Sequence, residues 1–271
     1  MKRILAGLAL ASSAVLMTAV PAQATSADPV KALRKQFVAG HGVRVSETAR
    51  SLLSGKPNGV TSTTGVYGFG KAGIVASDMR TRVMGGESDK LPTPPRVINV
   101  GDRAYAQGGL SSEELPDGKR WVRYAMAGDP RSGGQPLDIF KPEVLKALVT
   151  QAKSTKGGTY RGSLPFGTLG KIYGEKVDKR LSEISIGYVL DLNAKGLVTR
   201  VRSEYSLDFG MLGKSTSTVD TRYTGWGSKV TIKAPAADEV IDVEDLDGLG
   251  ADAEVLQEIP DTSLNSLGGI R

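Results

Sequence analysis

The chain has no cysteine, a single histidine, and aromatic residues at only 6% of its 271 positions. Without cysteine there are no disulfides, no thiolate metal ligands, no cysteine nucleophile and no lipid attachment through an N-terminal cysteine. A Ser-His-Asp set would have to use His41, which sits between two glycines, and no Gly-x-Ser-x-Gly turn occurs in the chain. Zinc meets the same shortage of ligands. Gly68-Phe-Gly70 is too short for a phosphate-binding fingerprint and falls between strand patterns. The acidic pair Glu113-Glu114 lies in a polar loop. These absences point to a non-catalytic protein with no cofactor and no metal.

Long hydrophobic runs are also missing beyond the N-terminus. There, Lys2 and Arg3 precede an apolar run from Ile4 to Val20, and Pro21-Ala22-Gln23-Ala24 is a small-x-small motif. Residues 1–24 read as a secretory signal peptide cut after Ala24, which places the mature chain outside the cytoplasm, secreted or extracytoplasmic. A membrane anchor fits less well, because the run is short and carries Ser12, Ser13 and Thr18.

Charge is unevenly placed around a net +6. Residues 25–236 hold 32 basic and 19 acidic side chains, a net +13, whereas residues 237–271 hold ten acids and Arg271, a net −9. A basic body suits an anionic neighbour such as a membrane surface or a wall polymer; it is equally what a solvated face looks like. Nucleic acid is not expected, since no aromatic-plus-basic strand cluster of the RNA-binding type appears and the chain reads as exported.

What is present is strand pattern. In Ile184-Ser-Ile-Gly-Tyr-Val-Leu-Asp191 the apolar residues Ile184, Ile186, Tyr188 and Leu190 alternate with others. From Leu197 to Phe209, the positions Leu197, Val201, Tyr205, Leu207 and Phe209 share one side, and Arg200, Arg202, Glu204, Ser206 and Asp208 share the other. Strand side chains flip at each residue, so these are two strands with one dry and one wet face, joined by a turn at Asn193 to Gly196. Strands at Ser215 to Tyr223 and Trp226 to Pro235 would complete an antiparallel meander.

Earlier in the chain, Asp28-Pro29 caps a helix carrying Val30, Leu33, Phe37 and Val38, and helical spacing resumes at Val45, Ala49, Leu52 and Leu53 within Val43 to Leu53. Strands follow at Val60 to Phe69, at Gly73 to Met84 with Val75, Met79 and Val83 on one side, and at Val97 to Ala106 with a Gly101-Asp102 hairpin turn. Arg120 to Tyr124 is another strand. A helix at Lys141 to Val149 separates these from a strand at Thr159 to Pro165, with a helical turn at Thr168 to Tyr173. Beyond Pro235 no strong periodic element appears, apart from one or two helical turns within Ala251 to Ile259. The class is α+β: one large antiparallel sheet with helices segregated to one face. The domain boundaries follow as a signal peptide at 1–24, a single domain at 25–242 and an acidic, mobile tail at 243–271.

This order resembles the bacterial LolA-like family, and within it the LppX/LprG group of exported lipid-carrying proteins. Val97-Ile-Asn-Val-Gly-Asp-Arg-Ala-Tyr105 looks like that family's strand-turn-strand ending in an aromatic, and Trp121 stands where the following strand carries a tryptophan. Thr159-Tyr-Arg-Gly-Ser163, Asp191-Leu-Asn-Ala-Lys-Gly-Leu197 and Tyr223-Thr-Gly-Trp-Gly-Ser-Lys-Val-Thr-Ile-Lys-Ala-Pro235 are similar to its later strand and turn pieces. The match runs from about Asp28 to Asp242 and departs from the group in lacking the lipidated cysteine. The resemblance implies a half-barrel, a curved sheet wrapped over helices on its concave face, with an apolar cavity for lipid or another amphiphile. Candidate cavity-wall residues are Tyr67, Phe69, Trp121, Tyr124, Leu145, Leu148, Ile186 and Tyr188, each of which ordinary core packing also explains. The alternative is an envelope interaction or stress-sensing module of the same fold without cargo.

The signal-peptide reading predicts that protein recovered from culture fluid begins at Thr25. Intact-mass measurement checks this; a retained leader or an added lipid mass would refute it.

Overall fold

The computed structural model describes residues 27–85, 94–108, 115–125, 131 and 133–246. The leader and the turns expected within Ala251 to Ile259 lie outside these residues. Asp28 caps helix α1 (Pro29–Arg34) by accepting from the Val30 and Lys31 amides at 2.9 and 3.2 Å. Strands β1 (His41–Leu53), β2 (Lys56–Phe69), β3 (Ile74–Met84), β4 (Arg96–Val100), β5 (Arg103–Gln107) and β6 (Trp121–Ala125) then form one meander. Helix α2 (Pro142–Thr150) leads to β7 (Ser154–Lys156), β8 (Thr159–Pro165), α3 (Phe166–Tyr173), α4 (Lys179–Ser182), β9 (Ser185–Leu192), β10 (Val198–Asp208) and β11 (Lys214–Lys229). A last short strand, β12 (Val240–Asp242), follows.

All twelve strands form a single open sheet in the order β12-β6-β5-β4-β3-β2-β1-β11-β10-β9-β8-β7. Its pairings are antiparallel except β12 with β6, which is parallel. The two meanders meet where β1 pairs with β11, so the first strand of the chain lies beside one that follows it by some 170 residues. Helices α1 to α4 pack on one face, here called inner, and the class is α+β as the alternation requires.

Three expectations differ from the structure. Residues 43–53 are strand, not helix. The spacing of Val45, Ala49, Leu52 and Leu53 fits a helical stripe, but Val43 (0% exposed), Val45 (5%) and Glu47 (6%) alternate inward, and β1 is held between β2 and β11 along its length. The segment from Trp226 is no separate strand. Gly225 and Gly227, with φ of +65° and +76°, bend β11 without ending it, and its partner β1 runs out at the His41–Lys229 pair. Val75 is exposed although Met79, on the same side of the pattern, is buried, because the β2–β3 register shifts at Gly68/Phe69.

The chain after Lys229 crosses the outer face as a strap. It runs over a row of small residues that the register places side by side: Gly42 opposite Gly68, Gly68 opposite Ala76, and Ala76 opposite Val100. A methyl added at Gly42 would meet Val230 Cγ2 at 2.8 Å, and one at Gly68 would meet Ile232 Cδ1 at 3.4 Å. The strap's Ile232 and Val240 pack on Ile98, Tyr105 and Trp121, an apolar cluster on the outer face. It ends by pairing β12 with β6, and the Lys119 ammonium donates to the Val240 carbonyl at 2.8 Å. From there Ile241, Val243 and Leu246 turn to the inner face and cover Ala104, Ala106, Val122 and Tyr124.

Two glycines in the paired strands β8 and β9, Gly162 opposite Tyr188 and Gly187 opposite Ser163, separate tolerance from collision. A methyl at Gly162 would lie 2.4 Å from Tyr188 Oη and 2.7 Å from its ring carbon, whereas one at Gly187 would meet only Glu204 O at 3.7 Å. The Tyr188 ring cannot swing away freely, since its hydroxyl donates to the Leu148 carbonyl at 2.7 Å. Gly162→Ala is therefore expected to cost about 1–3 kcal/mol by overpacking, and Gly187→Ala to be neutral or stabilising by up to about 1 kcal/mol. Urea unfolding of both variants gives the comparison; equal costs would contradict it.

Candidate functional site

The inner layer is built from alternate residues of five adjacent strands against four short helices. Val43 and Val45 of β1, Tyr67 and Phe69 of β2, Tyr223 of β11, Val201 and Tyr205 of β10 and Ile186 and Tyr188 of β9 face Leu33, Leu145, Leu148, Phe166, Leu169 and Leu181. Phe140, in the turn before α2, sits at the centre of an aromatic group. Its ring centroid lies 5.3 Å from Tyr67, 5.5 Å from Tyr223, 5.7 Å from Trp226 and 6.0 Å from Phe69. Such edge-to-face and tilted pairs add about 0.5–1.5 kcal/mol each beyond burial. The Trp226 indole donates to the Val198 carbonyl at 2.7 Å, so its one polar atom is satisfied.

A polar patch interrupts this layer. Glu47, 6% exposed, points inward from β1. One carboxylate oxygen accepts from the Gly134 amide at 2.6 Å and the other from the Thr221 hydroxyl at 2.9 Å. The Thr221 oxygen in turn accepts from the Gln135 side-chain amide at 3.1 Å. Gly133, at φ +137°, lets the backbone come this close: an added methyl there would sit 3.0 Å from a Glu47 oxygen. Next along the same loop, buried Asp138 pairs with Arg131 at 3.2 Å and accepts from the Phe140 amide at 2.9 Å. The Tyr173 hydroxyl of α3 accepts from the Asp138 amide and donates to the Pro136 carbonyl, both at 3.1 Å. Nearby on β10, Ser203 is 2% exposed and its hydroxyl has no hydrogen-bond partner among the described residues.

Burial sets the proton affinities here. Desolvation raises the Glu47 carboxyl above the usual range, and the Gly134 amide, the Thr221 hydroxyl and the Arg131 charge only partly offset it. Burial likewise raises the Tyr173 phenol, with the Asp138 charge acting in the same direction.

The structure gathers Tyr67, Phe69, Leu145, Leu148, Ile186 and Tyr188 into one cluster. Tyr124 is separate, in the group under Ile241 and Leu246. Trp121 is on the other side of the sheet, beneath the strap, with the Arg96 guanidinium 5.3 Å over its ring. Sequence reasoning misses the polar patch, because Glu47 lies within the apparent helical stretch of residues 43–53. Its signal was parity, since it follows Val43 and Val45 on the odd side. Among the described residues no group of three or more His, Cys, Asp or Glu is arranged to hold a metal ion. The arrangement suits binding and orienting a polar group at the edge of an apolar layer.

No family model matches the chain, and no curated protein matches it. Among solved structures, it is similar to a LolA superfamily protein from Nitrosomonas europaea at 8% identity and a TM-score of 0.28, covering 75% of this chain and 93% of that one. A structure of lipovitellin that describes its lipid–protein interactions aligns at 11% identity and a TM-score of 0.24, over 74% of this chain and 27% of that one. A DUF1329 family protein from Desulfovibrio piger aligns at 12% identity and a TM-score of 0.18, over 76% and 95%. Likeness at this level carries no argument about function.

Glu47 makes stability depend on pH in a known direction. A carboxyl whose folded pKa lies above its unfolded value of 4.5 contributes stability that is fully present below that value and lost as pH rises through the folded one. Glu47→Gln keeps an acceptor for the Gly134 amide and cannot ionise. Its melting temperature relative to the parent is expected to climb as pH rises above 4.5. Glu47→Ala, which leaves the Gly134 amide unsatisfied, is expected to cost about 1–3 kcal/mol. A Gln-minus-parent difference that is flat with pH would show that Glu47 titrates as an ordinary carboxyl.

Proposed function

We propose that the chain is an exported, non-catalytic binding protein whose inner layer takes the apolar part of a lipid or another amphiphile. In this reading residues 1–24 are removed on export and residues 25–242 form the binding domain. What carries the proposal is the composition of the layer. Four helices of four to nine residues face a broad apolar sheet surface, with a buried polar patch at Glu47, Thr221 and Gln135 and the unpartnered Ser203 hydroxyl set into it. Binding sites for amphiphiles combine those features: extensive apolar walls and a few convergent polar groups. Each methylene moved from water adds about 0.8 kcal/mol, so an acyl chain needs little polar recognition to bind. Six side chains, Tyr67, Phe69, Leu145, Leu148, Ile186 and Tyr188, are the proposed wall, and Ser203 the proposed polar contact. No helix among the described residues is long and apolar enough to cross a membrane.

Organic-solvent extraction of the purified protein, followed by mass spectrometry, is expected to release a stoichiometric lipid. Leu148→Trp and Ile186→Phe are expected to cost under about 1 kcal/mol, by filling cargo space, and to weaken uptake of a fluorescent fatty acid at least tenfold. A close-packed core would instead lose about 1–3 kcal/mol at each site. Ser203→Ala removes an unsatisfied hydroxyl, so stability should hold or rise while probe affinity falls. Destabilisation at both wall sites, with no uptake by the parent, would favour an interaction module without cargo.

A further inference from the structure

One end of the sheet brings together apolar side chains that water does not favour and cations that form no ion pair among the described residues. The β1–β2 connection is a two-residue turn: Leu53 pairs with Lys56 across Ser54 and Gly55, at φ +49° and +77°. Beside it lies the β10–β11 turn, whose Met211 is fully exposed at 104%. The two turns are tied, since the Ser54 amide donates to the Lys214 carbonyl at 2.8 Å, and Leu53 and Leu52 pair with Ser215 and Thr216. Leu53 is 41% exposed, Leu52 37%, and Met84, at the same end of β3, 45%. These are four of the six exposed large apolar side chains among the described residues; the others, Val38 and Val75, lie at the opposite end of the sheet. Clustering of this kind marks a contact surface, whereas scattered exposure does not.

Exposed cations surround the apolar tip. Lys56 and Lys214 flank the two turns, and Arg50 and Arg82 stand on the outer face just behind them. None of the four forms an ion pair with an acid among the described residues. Asp208 is the acid closest to Met211 in the turn and is occupied in accepting from the Gly210 amide at 2.8 Å. Glu204 shares a cross-strand row with Arg50 but stands two strands away, opposite Thr218. Farther up the same face, Arg80 and Arg202 extend the positive field.

We propose that this end of the sheet docks on an anionic lipid bilayer, with Met211, Leu53, Leu52 and Met84 entering the headgroup region and Lys56, Lys214, Arg50 and Arg82 facing the anionic lipids. Apolar side chains alone would suit a protein partner, and cations alone a soluble polyanion. An apolar tip with a cationic collar has both complements only at a charged membrane interface. The proposal stands apart from cargo binding: a protein with no cargo would still dock, and a cargo-loaded one would dock through the same residues.

Co-sedimentation with vesicles measures it. The full chain is expected to bind vesicles of 30% phosphatidylglycerol in phosphatidylcholine, to bind pure phosphatidylcholine at least tenfold more weakly, and to lose affinity as salt shortens the Debye length. Met211→Ser with Leu53→Ser, and separately Lys56→Gln with Lys214→Gln, are each expected to lower affinity at least tenfold without moving the melting temperature, since all four side chains are exposed. Val75→Ser at the other end should bind as the parent does. No binding to anionic vesicles by the parent would overturn the proposal. So would vesicle binding unaffected by the Met211 and Leu53 changes. Binding to a soluble anionic polymer that needs the lysines but not Met211 or Leu53, at an affinity matching that for vesicles, would assign the face to polyanions and likewise overturn it.

Discussion

The pairing of β1 with β11 is the constraint on which the rest depends. Each meander would otherwise end in a long bare strand, β1 on one side and β11 on the other, with unpaired amides inviting other chains. Joined, they run side by side from the His41–Lys229 pair to the Leu53–Ser215 pair. The edges that remain are β7 and β12, three residues each. Closing a loop of such length carries an entropic cost that grows only slowly with the number of residues, so a seam this extended offsets it readily. The Thr221 to Glu47 hydrogen bond crosses this seam on the inner side. The buried carboxylate is thus satisfied only when the two meanders are in register.

Local signals were enough wherever one element answers to its own sequence. The strand at Thr159–Pro165 and the Val100–Arg103 hairpin around Gly101-Asp102 stand at the expected positions, because turn chemistry and alternation are both short-range. Over residues 43–53 the sequence alone is ambiguous, because Val45, Ala49 and Leu53 fall at spacings that fit both a helical stripe and one side of a strand. Parity places Glu47 on the same side as Val43 and Val45, but an acid there argues against burial until its partners are known. Those partners, the Gly134 amide and Thr221, are 87 and 174 residues away in the chain. The side of the sheet that Trp121 takes is hidden from the sequence for a related reason. Both Trp121 and its neighbour Val122 are buried, at 4% and 3% exposure, so alternation does not mark an inner face. The cover over Trp121 is the strap, and no residue near Trp121 announces it.

The two faces are stabilised by different means. Inside, the loop from Gly133 to Lys141 locks helices to sheet through Glu47, Asp138, Tyr173 and Phe140, so its hydrogen bonds and its aromatic contacts fail or form together. Outside, exposed arginines stand among hydroxyls, and ion pairs such as Arg96 with Asp78 at 2.7 Å tie neighbouring strands. Partly exposed pairs of this sort contribute little individually. Their arrangement matters more for the field that the outer face presents than for holding the sheet together.

The chain's two tryptophans divide between these faces. Trp121 lies beneath the strap with a guanidinium over its ring, and Trp226 stacks on Phe69 in the inner layer with its indole bonded to a carbonyl. Their ultraviolet emission therefore comes from two unlike surroundings, one beside a cation and one among aromatic rings. With either replaced by phenylalanine, the remaining indole becomes a local optical gauge. One version registers the strap lifting from the sheet, and the other registers anything that enters or loosens the helical side. The protein thus carries built-in, separable reporters of events on its opposite surfaces, with no dye attached.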